Sequence, residues 1–196
     1  GIFINNEIDN DETIKILVKQ AILQAKCGCN VIAPSDMMDG RIGLIRKALD
    51  KEKFTDVSIL SYAVKYASSF YGPFRDAVGS KSKLKNDKKT YQMDYRNSFE
   101  SFREVGLDLK EGADMVMVKP GMIYLDIISK IKENFKIPVI AYQVSGEYGA
   151  IKFAIKNKVL NEESIIESLM AFKRAGACAI VTYFAIEIAK KIKAFN

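Results

Sequence analysis

Glu111-Gly112-Ala113-Asp114-Met115-Val116-Met117-Val118-Lys119-Pro120 is the stretch on which the fold turns. A glycine just past a helix takes the left-handed conformation without strain, and the small residue after it allows a tight turn. The apolar run that follows is too short for a helix and ends in a charge, which predicts a buried strand. The same grammar recurs in Lys26-Cys-Gly28-Cys-Asn-Val31 and in Ala175-Gly176-Ala-Cys-Ala179. Three copies of one turn indicate serial helix-to-strand units. Outward from these turns, strand-like runs cover 31–34, 57–64, 115–118, 138–144 and 179–184. Helical periodicity covers 10–26, 41–52, 97–111, 121–134, 147–157 and 162–175. Alternating strands and helices predict an α/β fold with a parallel sheet, either doubly wound or a barrel. No glycine-rich phosphate loop follows the first strand, so the dinucleotide-binding version lacks support.

The residues at the strand ends favour the barrel. Ser35, Lys65, Lys119, Ser145 and Tyr183 fall at or near the C-terminal ends of successive strands, the face on which barrel enzymes assemble their sites. Side-chain alternation puts Val139, Ala141, Gln143 and Ser145 on one face, and likewise Val181 and Tyr183, which is read as delivering Ser145 and Tyr183 to that site. Five strands cannot close an eight-stranded barrel. The expectation is a single domain over 1–196 that forms the C-terminal portion of a TIM (β/α)8 barrel, with about five parallel strands. Its first strand, at Val31, would then be an open edge that invites pairing or aggregation.

Lys65 and Lys119 each close an apolar run, and a strand gains nothing from either. An ammonium withdrawn from water loses solvation, and a second cation nearby disfavours its charge further, so a pair in one cavity tends toward the neutral nucleophile that attacks ketones and aldehydes. The alternative is a lysine that marks a strand end and snorkels to solvent. The chain has no histidine, so any proton transfer runs through Lys, Asp, Glu, Tyr or water.

Composition narrows the class. The 196 residues are 48% apolar and suffice for one core. No apolar run of membrane-spanning length and no secretory leader is evident, which reads as cytoplasmic. The formal charge of +6 comes from 24 lysines and six arginines spread over nearly every helical face, without the basic stripe or interleaved aromatics that nucleic acid requires. In so lysine-biased a chain, Arg75 stands out for its two-pronged geometry toward a carboxylate. The three cysteines, Cys27, Cys29 and Cys178, are too few for a disulfide framework or a zinc site and are read as small buried residues. Phe70-Tyr-Gly-Pro-Phe-Arg75-Asp reads as a rigid turn, and 79–89, with five lysines, as either an active-site lid or a solvated basic loop.

Five segments carry a family resemblance: Val31-Ile-Ala-Pro-Ser-Asp-Met-Met-Asp-Gly-Arg41, the run from Ser61 to Asp76, Tyr91-Gln-Met-Asp94, Gly112 to Pro120, and Val144-Ser-Gly-Glu-Tyr148. In that order and spacing they resemble porphobilinogen synthase, also called 5-aminolevulinate dehydratase. The resemblance implies a TIM-barrel lyase that condenses two molecules of 5-aminolevulinate to porphobilinogen with loss of two waters, in tetrapyrrole and heme synthesis. It implies Schiff bases at both lysines, Lys119 with the substrate that contributes the propionate side and Lys65 with the second. Ser145 and Tyr183 would hold the first carboxylate; Arg75, Lys88 and Gln92 the second; Ser35 and Tyr71 would line the pocket.

Glu104 matches an outlying magnesium ligand, or is a solvated helix position. Zinc ligands, where the family has them, would lie upstream of Gly1, as would a catalytic aspartate and the arm that builds the family's octamers. No organic cofactor, nucleic acid or membrane is implied. At position 88 lysine replaces the usual arginine, which loses two-pronged recognition, and Val64 replaces a smaller residue. Two alternatives stand beside this: a class I Schiff-base aldolase, and a truncated barrel that is inactive alone.

Overall fold

In the computed structural model, residues 1–5, 7–77 and 90–193 are described. A short antiparallel hairpin, β1 (Ile2–Ile4) and β2 (Glu7–Asp9), opens the chain. It was not expected from the sequence, because three-residue strands carry too little periodicity to read. Helix α1 (Asn10–Lys26) follows, and Asp9 caps it by accepting from the Glu12 amide at 2.8 Å. The remaining elements run β3 (Val31–Ile32), α2 (Arg41–Lys51), β4 (Ser58–Lys65), α3 (Gly72–Ala77), α4 (Phe99–Lys110), β5 (Met115–Lys119), α5 (Leu125–Phe135), β6 (Val139–Tyr142), α6 (Ser145–Lys156), α7 (Glu163–Arg174), β7 (Ala179–Val181) and α8 (Ala185–Lys193). Single 3-10 turns precede α3 at Ser69–Tyr71 and α5 at Met122–Tyr124.

The five strands β3 to β7 form one parallel sheet in sequence order. That is the incomplete barrel expected, with β3 and β7 as edges. All three repeated turns have the anticipated geometry: Gly28, Gly112 and Gly176 have φ of 89°, 104° and 104°. At Gly176 a Cβ would also stand 2.9 Å from Lys132 Cγ, so the position excludes side chains on two counts.

Helices cover the outer face of the sheet. Ala63, Val64, Val116, Val118, Val139 and Ala141 pack there with Val105, Ile128, Ile131, Ile165 and Phe172 from the helices, each of these five with 0% exposure. A second cluster joins Ala21 and Ala25 of α1, Ile42, Ile45 and Leu49 of α2, and Ile32 and Ile59 of the sheet. Val64 is fully buried in the first cluster.

Three expectations need correction. The segment 70–76 is not a bare turn but a 3-10 turn running into α3, where Pro73 occupies the first helical turn and loses no needed amide bond. The cysteines are exposed, not buried: all three lie in the turns that lead from helix into strand, at the N-terminal end of the sheet. Val139 and Ala141 do share a face, but it is the helix-packed one. Ser145 therefore does not arrive by strand alternation; β6 ends at Tyr142, and Ser145 is the first residue of α6.

Candidate active site

The sheet places Lys65 and Lys119 opposite one another. They are Cα partners in the ladder between the parallel strands β4 and β5. A bulge makes this so: from Ser61 to Val64 on β4 the register advances one residue more than from Val116 to Val118 on β5. Were the register to run straight on from Ser61 with no bulge, Val64 would stand opposite Lys119 and Lys65 would project among the helices. Both lysines line one cleft of about 450 Å³, shared with Ile32, Ser35, Phe74 and Tyr91.

Each amine has defined surroundings. Lys65 Nζ donates to the carbonyl of Ser35 and lies 5.9 Å from the centroid of the Tyr62 ring. Lys119 Nζ lies 4.1 Å from the Tyr142 ring centroid, 5.3 Å from Tyr62 and 5.8 Å from Tyr71. Aromatic faces at these distances attract a cation. Burial pushes the Tyr142 hydroxyl up to about 12, with Tyr183 adding to the rise, and burial also raises Tyr62. Near neutral pH these phenols remain protonated, and they can donate but not act as bases.

A smaller recess beside Lys119 is lined by Tyr71, Phe74, Tyr142, Val144, Ser145 and Tyr183. Tyr71 is buried, and its hydroxyl donates to the Lys119 carbonyl at 3.1 Å. Ser145 is buried, and its Oγ accepts from the Phe74 amide at 3.1 Å, which leaves the hydroxyl hydrogen available to a ligand. Tyr183 stands at the rim, 47% exposed, with its ring 5.5 Å from that of Tyr148. Gly146 allows the 3-10 turn before α3 to approach, since a Cβ there would lie 2.3 Å from the Phe70 carbonyl oxygen.

The other expected residues are spread more widely. Ser35 touches Lys65 through its carbonyl, while its side chain is exposed. Gln92 is buried beside a separate cavity of about 140 Å³ lined by Ala67, Asp94, Tyr95 and Arg96, and its Oε1 has no hydrogen-bond partner among the described residues. Lys88, the segment 79–89 and the Arg75 side chain lie outside the described residues. Glu104 is half-buried on α4, where burial first, and then Asp108 and Glu100, raise its carboxyl above the ordinary value. Among the described residues no group of three or more acidic or thiol side chains is arranged to hold a metal, and no helix is long and apolar enough to cross a membrane.

Tyr62, Phe74 and Tyr142 were not singled out in the sequence. Tyr142 had a signal: the register that pairs Val118 with Ala141 makes Lys119 and Tyr142 the next neighbours in line. Tyr62 had none, because the bulge breaks the alternation between it and Lys65.

Residues 1–191 match the family model for delta-aminolevulinic acid dehydratase. The chain belongs to the delta-aminolevulinic acid dehydratase family. It is 58% identical over 195 residues to the dehydratase of Rhodobacter capsulatus, covering 99% of this chain and 59% of that one. To the Bradyrhizobium diazoefficiens dehydratase it is 55% identical over 194 residues, covering 98% and 55% respectively. The Toxoplasma gondii dehydratase, a porphobilinogen synthase solved with its product porphobilinogen, superposes with a TM-score of 0.93 at 52% identity, over 97% of this chain and 55% of that one. The chain thus spans a little over half the length of these dehydratase relatives.

Proposed function

We propose that this chain carries the two amine nucleophiles of a porphobilinogen synthase, the lyase that joins two molecules of 5-aminolevulinate with loss of two waters. The single observation behind this is the in-register pairing of Lys65 and Lys119 in one cleft. Each amine, when neutral, adds to a ketone carbon and expels water, leaving an iminium. One iminium activates the acceptor carbon, and the other releases a proton from its neighbouring carbon to give the enamine donor. Holding both substrates side by side makes their union effectively intramolecular, an advantage of up to about 7 to 11 kcal/mol in well-oriented cases.

Lys119 works with Ser145, Tyr183 and Tyr71 on the first substrate, where the hydroxyls of Ser145 and Tyr183 donate to its carboxylate. Lys65 works with Arg75, Lys88 and Gln92 on the second, with Ser35 lining the pocket. The buried Oε1 of Gln92, without a partner among the described residues, supports a ligand-facing role, because a buried acceptor left unpaired is costly.

The metals stand apart from this chemistry. Glu104 offers one carboxylate, which suits a magnesium ion that keeps most of its water. The exposed cysteines lie at the opposite end of the strands from the lysines and do not form a zinc site near them, so no step is drawn through zinc. No organic cofactor is needed for two Schiff bases. The octameric assembly and cytoplasmic setting belong to the same proposal. With β3 and β7 as open edges, these 196 residues alone would form no porphobilinogen.

Borohydride reduction with 5-aminolevulinate, followed by peptide mapping of the full-length protein, tests the assignment. An adduct at Lys119 is expected, lost in Lys119→Ala and retained in Lys65→Ala. Trapping of a sugar phosphate instead would indicate the aldolase reaction and refute the proposal.

A further inference from the structure

Glu147 is a fully buried carboxylate at the start of α6. Its two oxygens bridge different segments. Oε1 accepts from the Met122 amide at 2.7 Å, and Oε2 from the Val144 amide at 2.8 Å. Met122 begins the 3-10 turn that leaves β5 just after Lys119, and Val144 immediately precedes Ser145. The second contact is the half of a capping box in which the N3 glutamate reaches back to the N-cap amide. The first is tertiary. Amides of Gly121 and Ile123 also face the carboxylate and offset part of the rise that burial imposes on its proton affinity.

Resting on the function proposed above, we infer that Glu147 is a positioning residue, which fixes the distance between the amine-bearing end of β5 and the Ser145 end of α6. The two must agree closely, since a first substrate attached at Lys119 has its carboxylate held at Ser145. Only an ionised carboxylate fits the role fully, because both oxygens face N–H donors. Glutamine has the same shape but presents one NH2 group to an N–H, so one bridge is lost and replaced by a donor-to-donor contact. The neighbouring turn has little slack: a Cβ at Gly121 would stand 2.6 Å from the Phe172 ring and 3.1 Å from the Tyr142 carbonyl.

The test uses the full-length protein carrying Lys65→Ala, in which only the Lys119 adduct can form, with timed borohydride trapping of 5-aminolevulinate. Adding Glu147→Gln should slow trapping at Lys119 by about tenfold or more, while Ile45→Val, a fully buried change around α2, should lower the melting temperature and leave the trapping rate unchanged. Absence of any Lys119 adduct before Glu147 is altered would defeat the Schiff-base function itself. If the adduct forms but Glu147→Gln traps at the parental rate, or Ile45→Val slows trapping equally, the positioning role is overturned. Should Glu147→Gln fail to fold, hydrogen exchange on the unsubstituted protein decides: slow exchange at the Met122 and Val144 amides supports the bridge, and exchange as fast as exposed turn amides overturns it.

Discussion

Replacing Asp108 with alanine should be among the most damaging single changes in this chain outside the cleft. Asp108 and Arg41 are 3% and 2% exposed, and the guanidinium meets the carboxylate in a two-pronged contact, Nη1 to Oδ1 at 3.3 Å and Nη2 to Oδ2 at 3.2 Å. Ser61 Oγ bridges the pair, accepting from Arg41 Nη2 at 2.9 Å and donating to Asp108. Removing one partner of a buried ion pair leaves the other charge uncompensated, at a cost of about 3 to 5 kcal/mol. The Met38 carbonyl, at 3.2 Å from Nη1, and Asp36, at 3.4 Å from Nε, remain to absorb part of it. The expectation is therefore the lower figure, about 3 kcal/mol. In urea unfolding of the full-length protein this is a fall in midpoint of up to about 1 M. Arg41→Met combined with Asp108→Leu should recover all but about 1 kcal/mol, since a filled apolar pair matches a buried ion pair. A loss below about 1 kcal/mol for Asp108→Ala, or a double substitution no better than the single one, would refute this account of the cluster. Because Arg41 anchors the loop whose Ser35 carbonyl receives Lys65, the single change should also slow adduct formation at Lys65.

Gly146→Ala gains helix propensity but must push aside the Phe70 carbonyl, so it should cost about 1 to 3 kcal/mol and weaken substrate binding through the Phe74 to Ser145 contact; thermal unfolding and KM for 5-aminolevulinate measure both. Glu104 titrates higher in the fold than its ordinary 4.5, chiefly through burial, so the stability linked to its neutral form is present below that value and lost as pH rises through the raised one. Glu104→Gln should then be the more stable protein above the raised value and no different at about pH 4 or below. Urea unfolding across that range, without added magnesium, checks it, and a gain of stability confined to acid would contradict the sign.

Much of the architecture was legible because the helix-to-strand turns need glycine at fixed offsets, and because each strand is a short apolar run ending in a polar or reactive residue. Lys65 and Lys119 were visible as strand-end residues, whereas Ser145 and Tyr183 were reached through strands extended too far, past Tyr142 and Val181. The bulge in β4 was hidden because an extra residue leaves no compositional mark when its neighbours are Tyr62 and Ala63. Tyr142 was hidden for a related reason, since its partnership with Lys119 is a matter of register between strands more than 20 residues apart in sequence. Glu147 lies inside the motif Val144 to Tyr148. Nothing in sequence separates a glutamate that faces solvent from one that receives amides from another loop.

Adjacent strands lie about 4.8 Å apart, so the rungs of the sheet set how far apart the two substrates are anchored. Substitutions anywhere along β4 and β5 can alter affinity and leave that spacing intact. Inserting a single residue between Val64 and Lys65 would instead turn Lys65 to the far side of the sheet without touching it. Over evolutionary time these two strands should therefore accept many replacements and almost no change in length.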